Sequence, residues 1–190
     1  MIEPHDLLRG RQPRTVSMPG LHAHTGLWAQ AIGVLRPAVF VDRMIEGRPG
    51  FEALMFHEAL HVHEHHALAG LVVLGFGFLG ASLSLVAENL AGFLSCLALG
   101  AVAWASWRRE QEIRCDAFAL RGACSEFDPE TKAWRVTPES EKKGLAEFRA
   151  FTLLHEHPTR WFWKFAYGGT PRRRIARALA RARRIRWVAA

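Results

Sequence analysis

Cysteine is scarce in this chain, and its distribution excludes two classes of small protein. The 190 residues contain three cysteines, Cys96, Cys115 and Cys124. Because their number is odd and no C-x-x-C spacing occurs, neither a disulfide framework nor a cysteine-rich zinc module is expected. This usage favours a reducing compartment.

The start of the sequence lacks the features of an export signal. Residues 1–6 include acidic residues and a proline where a secretory signal would have a basic stretch followed by an apolar core. We therefore expect no cleaved signal. Since domains typically contain roughly 100–200 residues, we expect a single domain over residues 1–190.

Basic charge is concentrated at one end of the chain, and the rest of the protein is not basic. The formal net charge is +7, and eight arginines between 172 and 190 alone contribute +8, so the remaining residues sum to −1. A basic tail on a chain with membrane segments is typical of contact with anionic lipids. Nucleic acid is not expected as a partner, because no helix-turn-helix or zinc-finger spacing accompanies the tail.

Two long runs of the sequence carry no charge, from Ala67 to Ala87 and from Leu90 to Trp107. As helices, both could cross a hydrocarbon core of about 30 Å. A buried hairpin in a soluble bundle would normally show a polar stripe, and none is present. The pattern favours a transmembrane hairpin over about 67–107. The arginines that follow it predict that both flanks lie in the cytoplasm.

The other segments predict a mainly α-helical fold with a small β element. Residues 31–42 have β-branched and aromatic residues around a glycine and a proline, which indicates one or two short strands. Helices are predicted at about 49–66, 106–121, 139–155 and 172–188, with a loop containing one short strand at 133–136 between the second and third.

An H-E-x-x-H pattern occurs at residues 57–61, inside a predicted helix. On a helix, His57 and His61 share one face one turn apart, so both imidazoles can bind one Zn²⁺ ion. Glu58 then lies beside the metal, where its carboxylate can accept a proton from bound water. The pattern alone is ambiguous, because three further histidines make this neighbourhood rich in histidine.

A catalytic zinc ion usually has three protein ligands and one open position, so a third ligand is required. Glu112 on the helix after the hairpin is the candidate, and Asp116, one turn further on, could accept a hydrogen bond from a ligand histidine. The alternative is a solvated charged face whose carboxylates form ordinary ion pairs with neighbouring arginines.

These motifs together resemble the membrane gluzincin peptidases, both the HtpX and CAAX-protease type and the BlaR/MecR type. The resemblance lies in His57-Glu58-Ala59-Leu60-His61, the apolar hairpin that follows, and Glu112-x-x-x-Asp116. It implies a zincin-like catalytic unit with the hairpin between its two metal-binding helices. It also implies Glu112 as the third zinc ligand.

Two later elements extend the resemblance to the HtpX type. His157-Pro158-Thr159 and Arg174-Ile175 are similar to the His-Pro and Arg-Ile elements of that family. By this resemblance, His157 and Arg174 are candidates for contact with the substrate or the transition state. The aromatic residues in 160–170 look like an insertion, and either a membrane-interface belt or core packing would explain them.

The expected function is therefore that of a zinc-dependent endopeptidase in the cytoplasmic membrane, with its active site on the cytoplasmic side. Its expected partners are a protein or peptide substrate, at or near the membrane, and the lipid bilayer. Glu58 is the expected general base. Two alternatives stay open: a signalling protease of the BlaR/MecR type, and a catalytically inactive zinc-binding membrane scaffold.

Overall fold

The computed structural model describes residues 14–25, 27–33, 36–154 and 169–184. The fold is mainly helical with a small sheet, as predicted. The described helices are α1 (Leu21–Thr25), α2 (Phe51–His63), α3 (His66–Val86), α4 (Leu90–Cys124), α5 (Pro138–Leu154) and α6 (Pro171–Arg184). The described strands are β1 (Arg14–Ser17), β2 (Ala29–Ile32), β3 (Ala38–Val41), β4 (Glu126–Asp128) and β5 (Ala133–Arg135).

The three-stranded sheet has the order β1-β3-β2. The two strands expected in 31–42 correspond to β2 and β3, which pair antiparallel. Strand β1 was not predicted, and it pairs parallel to β3 on the other side. Strand β3 is therefore central, with Val39 and Val41 buried, and β2 is an edge strand.

Helix α2 is shorter than predicted. It begins after Gly50, whose φ of +93° favours glycine, and a Cβ there would meet the backbone nitrogen of Phe151 at 2.5 Å. It ends at His63, before His65 in the left-handed region with φ 49°. The predicted continuation to His66 is wrong, because the backbone reverses at residues 64–65 and His66 begins α3.

Helices α3 and α4 form the predicted hairpin and are long and apolar enough to cross a membrane. Asn89 caps α4 by accepting a hydrogen bond from the backbone of Gly92 at 2.9 Å. The arms approach closely where Gly77 faces Gly100, since a Cβ on either would lie 3.0 Å from the other's Cα. Many large apolar side chains of the hairpin are exposed, including Phe76 at 72% and Leu99 at 69%.

The helix predicted at 106–121 is not separate from the hairpin. It continues the second arm, so that one helix of 35 residues carries both the apolar run and the polar segment beyond it. Helices α2, α5 and α6 pack around this polar segment, with Phe56, Phe148, Phe151 and Leu120 in their shared core. The second arm of the hairpin therefore continues, through α4, into a helical unit with a shared hydrophobic core.

The remaining predictions are partly met. The strand expected at 133–136 is β5, and it pairs antiparallel with β4, which was not predicted. The helix predicted at 139–155 corresponds to α5, which is described to residue 154. The helix predicted at 172–188 corresponds to α6, which is described to residue 184. His155, His157, the aromatic residues at 160–167 and the last six residues lie outside the described residues.

Candidate metal centre

The two histidines of the H-E-x-x-H pattern lie on the buried face of α2. His57 is 0% exposed and His61 is 5% exposed. Their Nε2 atoms are 3.2 Å apart. Helical spacing of four residues therefore brings the two rings together, as the sequence predicts.

Glu112 of α4 faces both histidines and is fully buried. Its Oε2 lies 3.2 Å from His57 Nε2, and its Oε1 lies 3.3 Å from His61 Nε2. Arg108, one turn earlier on α4, places Nη2 2.7 Å from Glu112 Oε1. The hairpin folds α4 back against α2, which explains how Glu112 meets histidines 51 and 55 positions before it.

Asp116 lies behind His57, on the side away from Glu112. Its Oδ1 is 3.1 Å from His57 Nδ1. Arg174 of α6 donates from Nε to Asp116 Oδ2 at 2.8 Å and from Nη2 to Oδ1 at 2.6 Å. Arg174 is 3% exposed, so it reaches the site through Asp116.

The charges of these groups favour a cation between Glu112 and Asp116. Burial lowers the pKa of His57. The hydrogen-bonding and charge interactions with the Asp116 and Glu112 carboxylates outweigh burial and raise that pKa to about 9. Although burial raises the pKa of Asp116, the Arg174 guanidinium lowers it to about 2. Burial lowers the pKa of His61 to about 4. His57 therefore lies between two carboxylates, each of which also contacts an arginine.

Cys115 was not recognised from the sequence as a site residue. His57, His61 and Cys115 form a buried group whose ligand atoms lie within 4.8 Å of one another, and this group could hold a metal ion. Cys115 follows Glu112 by three positions, so the two side chains lie on the same side of α4. That spacing was the available signal in the sequence.

His66 was also missed as a member of the site. Its Nδ1 lies 2.6 Å from His61 Nδ1, and its Nε2 lies 2.8 Å from Glu64 Oε2. Arg114 of α4 contacts Glu64 Oε1 at 2.5 Å. His66 therefore orients His61 much as Asp116 orients His57. It can do so because the helix is interrupted at residues 64–65 and the backbone changes direction there.

Glu58 of α2 faces the edge strand β2. It is 4% exposed, and its Oε2 accepts a hydrogen bond from the backbone nitrogen of Ala31 at 2.6 Å. A cavity of about 50 Å³, lined in part by Ala31, Glu58, His61 and Arg108, adjoins this contact. The cavity is large enough for ordered water.

The arrangement of donor atoms is compatible with a bound metal ion. Ligands of one four-coordinate Zn²⁺ at about 2.0–2.2 Å lie about 3.3 Å apart. The two histidine Nε2 atoms are 3.2 Å apart; His57 Nε2 lies 3.2 Å from one oxygen of Glu112, and His61 Nε2 lies 3.3 Å from the other. The two histidines could therefore hold a metal ion with a further ligand, and Glu58 lines the same cavity as His61.

Comparisons with known proteins give no match to a family model, to a curated protein or to a solved structure. The resemblance to the membrane gluzincins therefore rests on the motif residues alone.

Proposed function

We propose that this protein is a zinc-dependent endopeptidase embedded in the membrane, with Glu58 as its general base. One observation carries the proposal: the Nε2 atoms of His57 and His61 face each other and the two oxygens of Glu112, and Glu58 lines the same cavity as His61. A purely structural zinc site has no need of such a carboxylate.

Glu112 is the proposed third ligand, rather than Cys115. Both oxygens of Glu112 face the two histidine Nε2 atoms, and Arg108 stabilises the negative charge of this carboxylate. A thiol must lose its proton to bind zinc. Burial and the nearby Glu112 raise the pKa of the Cys115 thiol well above its usual value, so the thiol stays protonated unless a metal ion binds it.

Each residue of the site has a distinct role in the proposed reaction. A bound zinc ion supplies Lewis-acid activation of a water molecule and of the scissile carbonyl. Glu58 takes the proton of that water on its carboxylate and later delivers it to the leaving amine. Asp116 and His66 hold His57 and His61 in the required orientations.

The substrate is proposed to bind along the outer edge of β2, which pairs with no other strand among the described residues. Trp28 O accepts from Asp42 N on the β3 side, whereas Ala31 N points away from β3 and donates to Glu58. Strand β3 is central in the sheet and is paired on both sides, so β2 is the strand proposed to receive an extended peptide. A peptide carbonyl that accepts from Ala31 N would replace Glu58 there and release its carboxylate to the water.

The hairpin is proposed to span the cytoplasmic membrane. Its exposed apolar side chains would be costly in water, whereas lipid would cover them. Arg108 and Arg109 follow the apolar run directly, which favours the cytoplasm for the metal centre. Proteins in or near the membrane are then the accessible substrates.

A second candidate function is that of a zinc-binding membrane scaffold without activity. The position of Cys115 close to His57 and His61 favours it. If Glu112 and Cys115 both bound one metal ion, four protein ligands would close the site, which is typical of structural zinc.

Metal analysis and a cleavage assay on the same purified preparations test the proposal. We expect about one zinc per wild-type chain, strong loss of zinc in Glu112→Gln, and retention in the matched Cys115→Ser variant. We also expect the wild type to cleave an unfolded, fluorescently labelled protein in detergent. Zinc loss in Cys115→Ser, with zinc retained in Glu112→Gln, would replace this ligand set and favour the scaffold.

A further inference from the structure

Arg108 of α4 lines the same cavity as Glu58 of α2 and Ala31 of β2. Among the described residues that line this cavity, it is the only arginine or lysine. Its side chain is 22% exposed, whereas those of His61 and Glu112 are 4% and 0% exposed. The cavity beside the general base therefore has a permanent positive charge on its wall.

A contact with Glu112 fixes the position of this guanidinium. Arg108 Nη2 lies 2.7 Å from Glu112 Oε1, and the same oxygen lies 3.3 Å from His61 Nε2. Arg108 and Glu112 are one helical turn apart, so their side chains lie on the same side of α4. The guanidinium is therefore held directly beside the donor atoms that would bind the metal.

Hydrolysis of a peptide bond creates a negative charge that a fixed cation at this position can stabilise. As the oxygen of water bonds to the carbonyl carbon, the π electron pair of the C=O bond moves onto the carbonyl oxygen, and Glu58 takes one proton of the water. When the C–N bond breaks, the pair returns to the C=O bond, and Glu58 gives its proton to the leaving amine. A donor aimed at the carbonyl oxygen lowers the barrier because it is strongest while that oxygen is charged.

Arg174, a candidate for contact with the transition state by the family resemblance, is placed elsewhere. Its Nε and its Nη2 donate to Asp116 at 2.8 and 2.6 Å, and it is 3% exposed. The described residues that line the cavity include Arg108 but not Arg174. The position of Arg108 therefore suits this contact, whereas that of Arg174 suits the support of Asp116.

We propose that Arg108 is a catalytic residue that stabilises the oxyanion formed on the scissile carbonyl. A substrate whose backbone pairs with β2 at Ala31 places its scissile carbonyl in this cavity, where Arg108 donates to the carbonyl oxygen. A guanidinium stays protonated and carries several N–H donors in a rigid plane, so it can contact Glu112 and a second oxygen together. The inference rests on the proposed peptidase function and adds a residue to it.

The experiment compares the effect of Arg108→Gln on a substrate with its effect on a mimic of the transition state. One probe is a peptide that the wild type cleaves, identified by mass spectrometry from the fragments of the unfolded reporter protein. The other is the same peptide with an anionic phosphonate in place of the scissile amide. Calorimetry on the full chain in detergent measures binding, with the peptide titrated in the slow Glu58→Gln background. Arg109→Gln is the matched control, because the cavity lining includes Arg108 but not Arg109.

We expect Arg108→Gln to lose about 10²–10³-fold in kcat and a similar factor in phosphonate affinity. Peptide affinity should change less than about threefold, because this contact strengthens only in the transition state. Zinc content should stay at the wild-type level, and Arg109→Gln should behave as the wild type. Equal losses for peptide and phosphonate, or wild-type values for kcat and phosphonate affinity, would overturn the inference while leaving the proposed function in place.

Arg108→Lys decides the question if Arg108→Gln does not fold or loses zinc. Lysine keeps a positive charge beside Glu112, but it replaces the planar guanidinium with a single nitrogen on a shorter side chain. We expect zinc to be retained and kcat and phosphonate affinity to fall about tenfold. Wild-type values in this variant would overturn the inference. A wild type that binds zinc but cleaves nothing would instead overturn the proposed function, and this inference with it.

Discussion

Arg174 and Asp116 form a buried, two-point ion pair, and the same Asp116 carboxylate contacts the ring nitrogen of His57 that faces away from Glu112. The pair connects α6 to α4, and Asp116 connects α4 to His57 of α2. A residue near the C-terminus of the chain thereby controls the orientation of a predicted zinc ligand.

Breaking this ion pair should weaken both the fold and zinc binding. In Arg174→Gln we expect a loss of about 3–5 kcal/mol in stability, because an uncompensated carboxylate stays buried. Zinc affinity should fall about 10–100-fold, as for other groups that orient a ligand histidine. Thermal unfolding and competition with a metal chelator measure the two effects.

A double-mutant cycle provides the control for the ion pair. Combining Arg174→Gln with Asp116→Asn removes the buried negative charge as well, so the double variant should be more stable than the sum of the single losses predicts. Strict additivity, or wild-type zinc affinity in Arg174→Gln, would show that Asp116 does not depend on Arg174.

The stability of the segment before α2 should depend on pH through Asp42. Backbone N–H groups of Met44 and His22 donate to its carboxylate at 3.0 and 3.1 Å and hold its pKa below the usual value of 3.8. Since the folded pKa is lowered, its contribution is complete above the unfolded pKa and is lost as pH falls through the folded pKa.

We therefore expect the melting temperature of the wild type to exceed that of Asp42→Asn by a constant amount from pH 7 to about pH 5. This difference should shrink below about pH 4. Thermal unfolding at each pH measures it. A difference that grew as the solution became more acidic would contradict the assigned direction of the shift.

The close approach of α3 and α4 should exclude a side chain at Gly77, which faces α4, but tolerate one at Gly75, two residues earlier on another side of α3. A Cβ at Gly77 would lie 3.0 Å from the Cα of Gly100, whereas a Cβ at Gly75 meets nothing within 4 Å. Gly77→Val should cost about 1–3 kcal/mol through overpacking, and Gly75→Val should cost much less. Equal melting temperatures in detergent would refute this packing.

The proposed topology places the hairpin turn and α5 on opposite sides of the membrane. A cysteine introduced at Glu88, in the exposed turn, should react with a membrane-impermeant thiol reagent in intact cells. A cysteine at Arg149, exposed on α5, should react only after lysis. Equal labelling of both positions in intact cells would rule out the hairpin topology.

The sequence was most informative where a pattern is local. His57 and His61 are one helical turn apart, and the uncharged runs define the hairpin by length alone. Glu112 was a candidate because a third ligand was needed, and the family resemblance supported it; its meeting with α2 depends on how the hairpin folds back.

Features that depend on distant pairing were missed. Strand β1 is short and largely exposed, and it forms only because β3 is there to pair with it. His66 joined the site because His65 adopts a left-handed conformation that breaks the helix, which no periodic pattern indicates. Cys115 required knowledge of which face of α4 points toward α2.

The most direct test of the account is the cleavage rate and zinc content of Glu58→Gln, measured in one preparation beside the matched Glu52→Gln variant on the exposed side of the same helix. Glutamine keeps the size of Glu58 but cannot accept the proton of the water. We predict a loss of about 10²–10⁴-fold in rate with zinc retained, and wild-type behaviour for Glu52→Gln. Full activity in Glu58→Gln, or loss of its zinc, would contradict the role of Glu58 as general base.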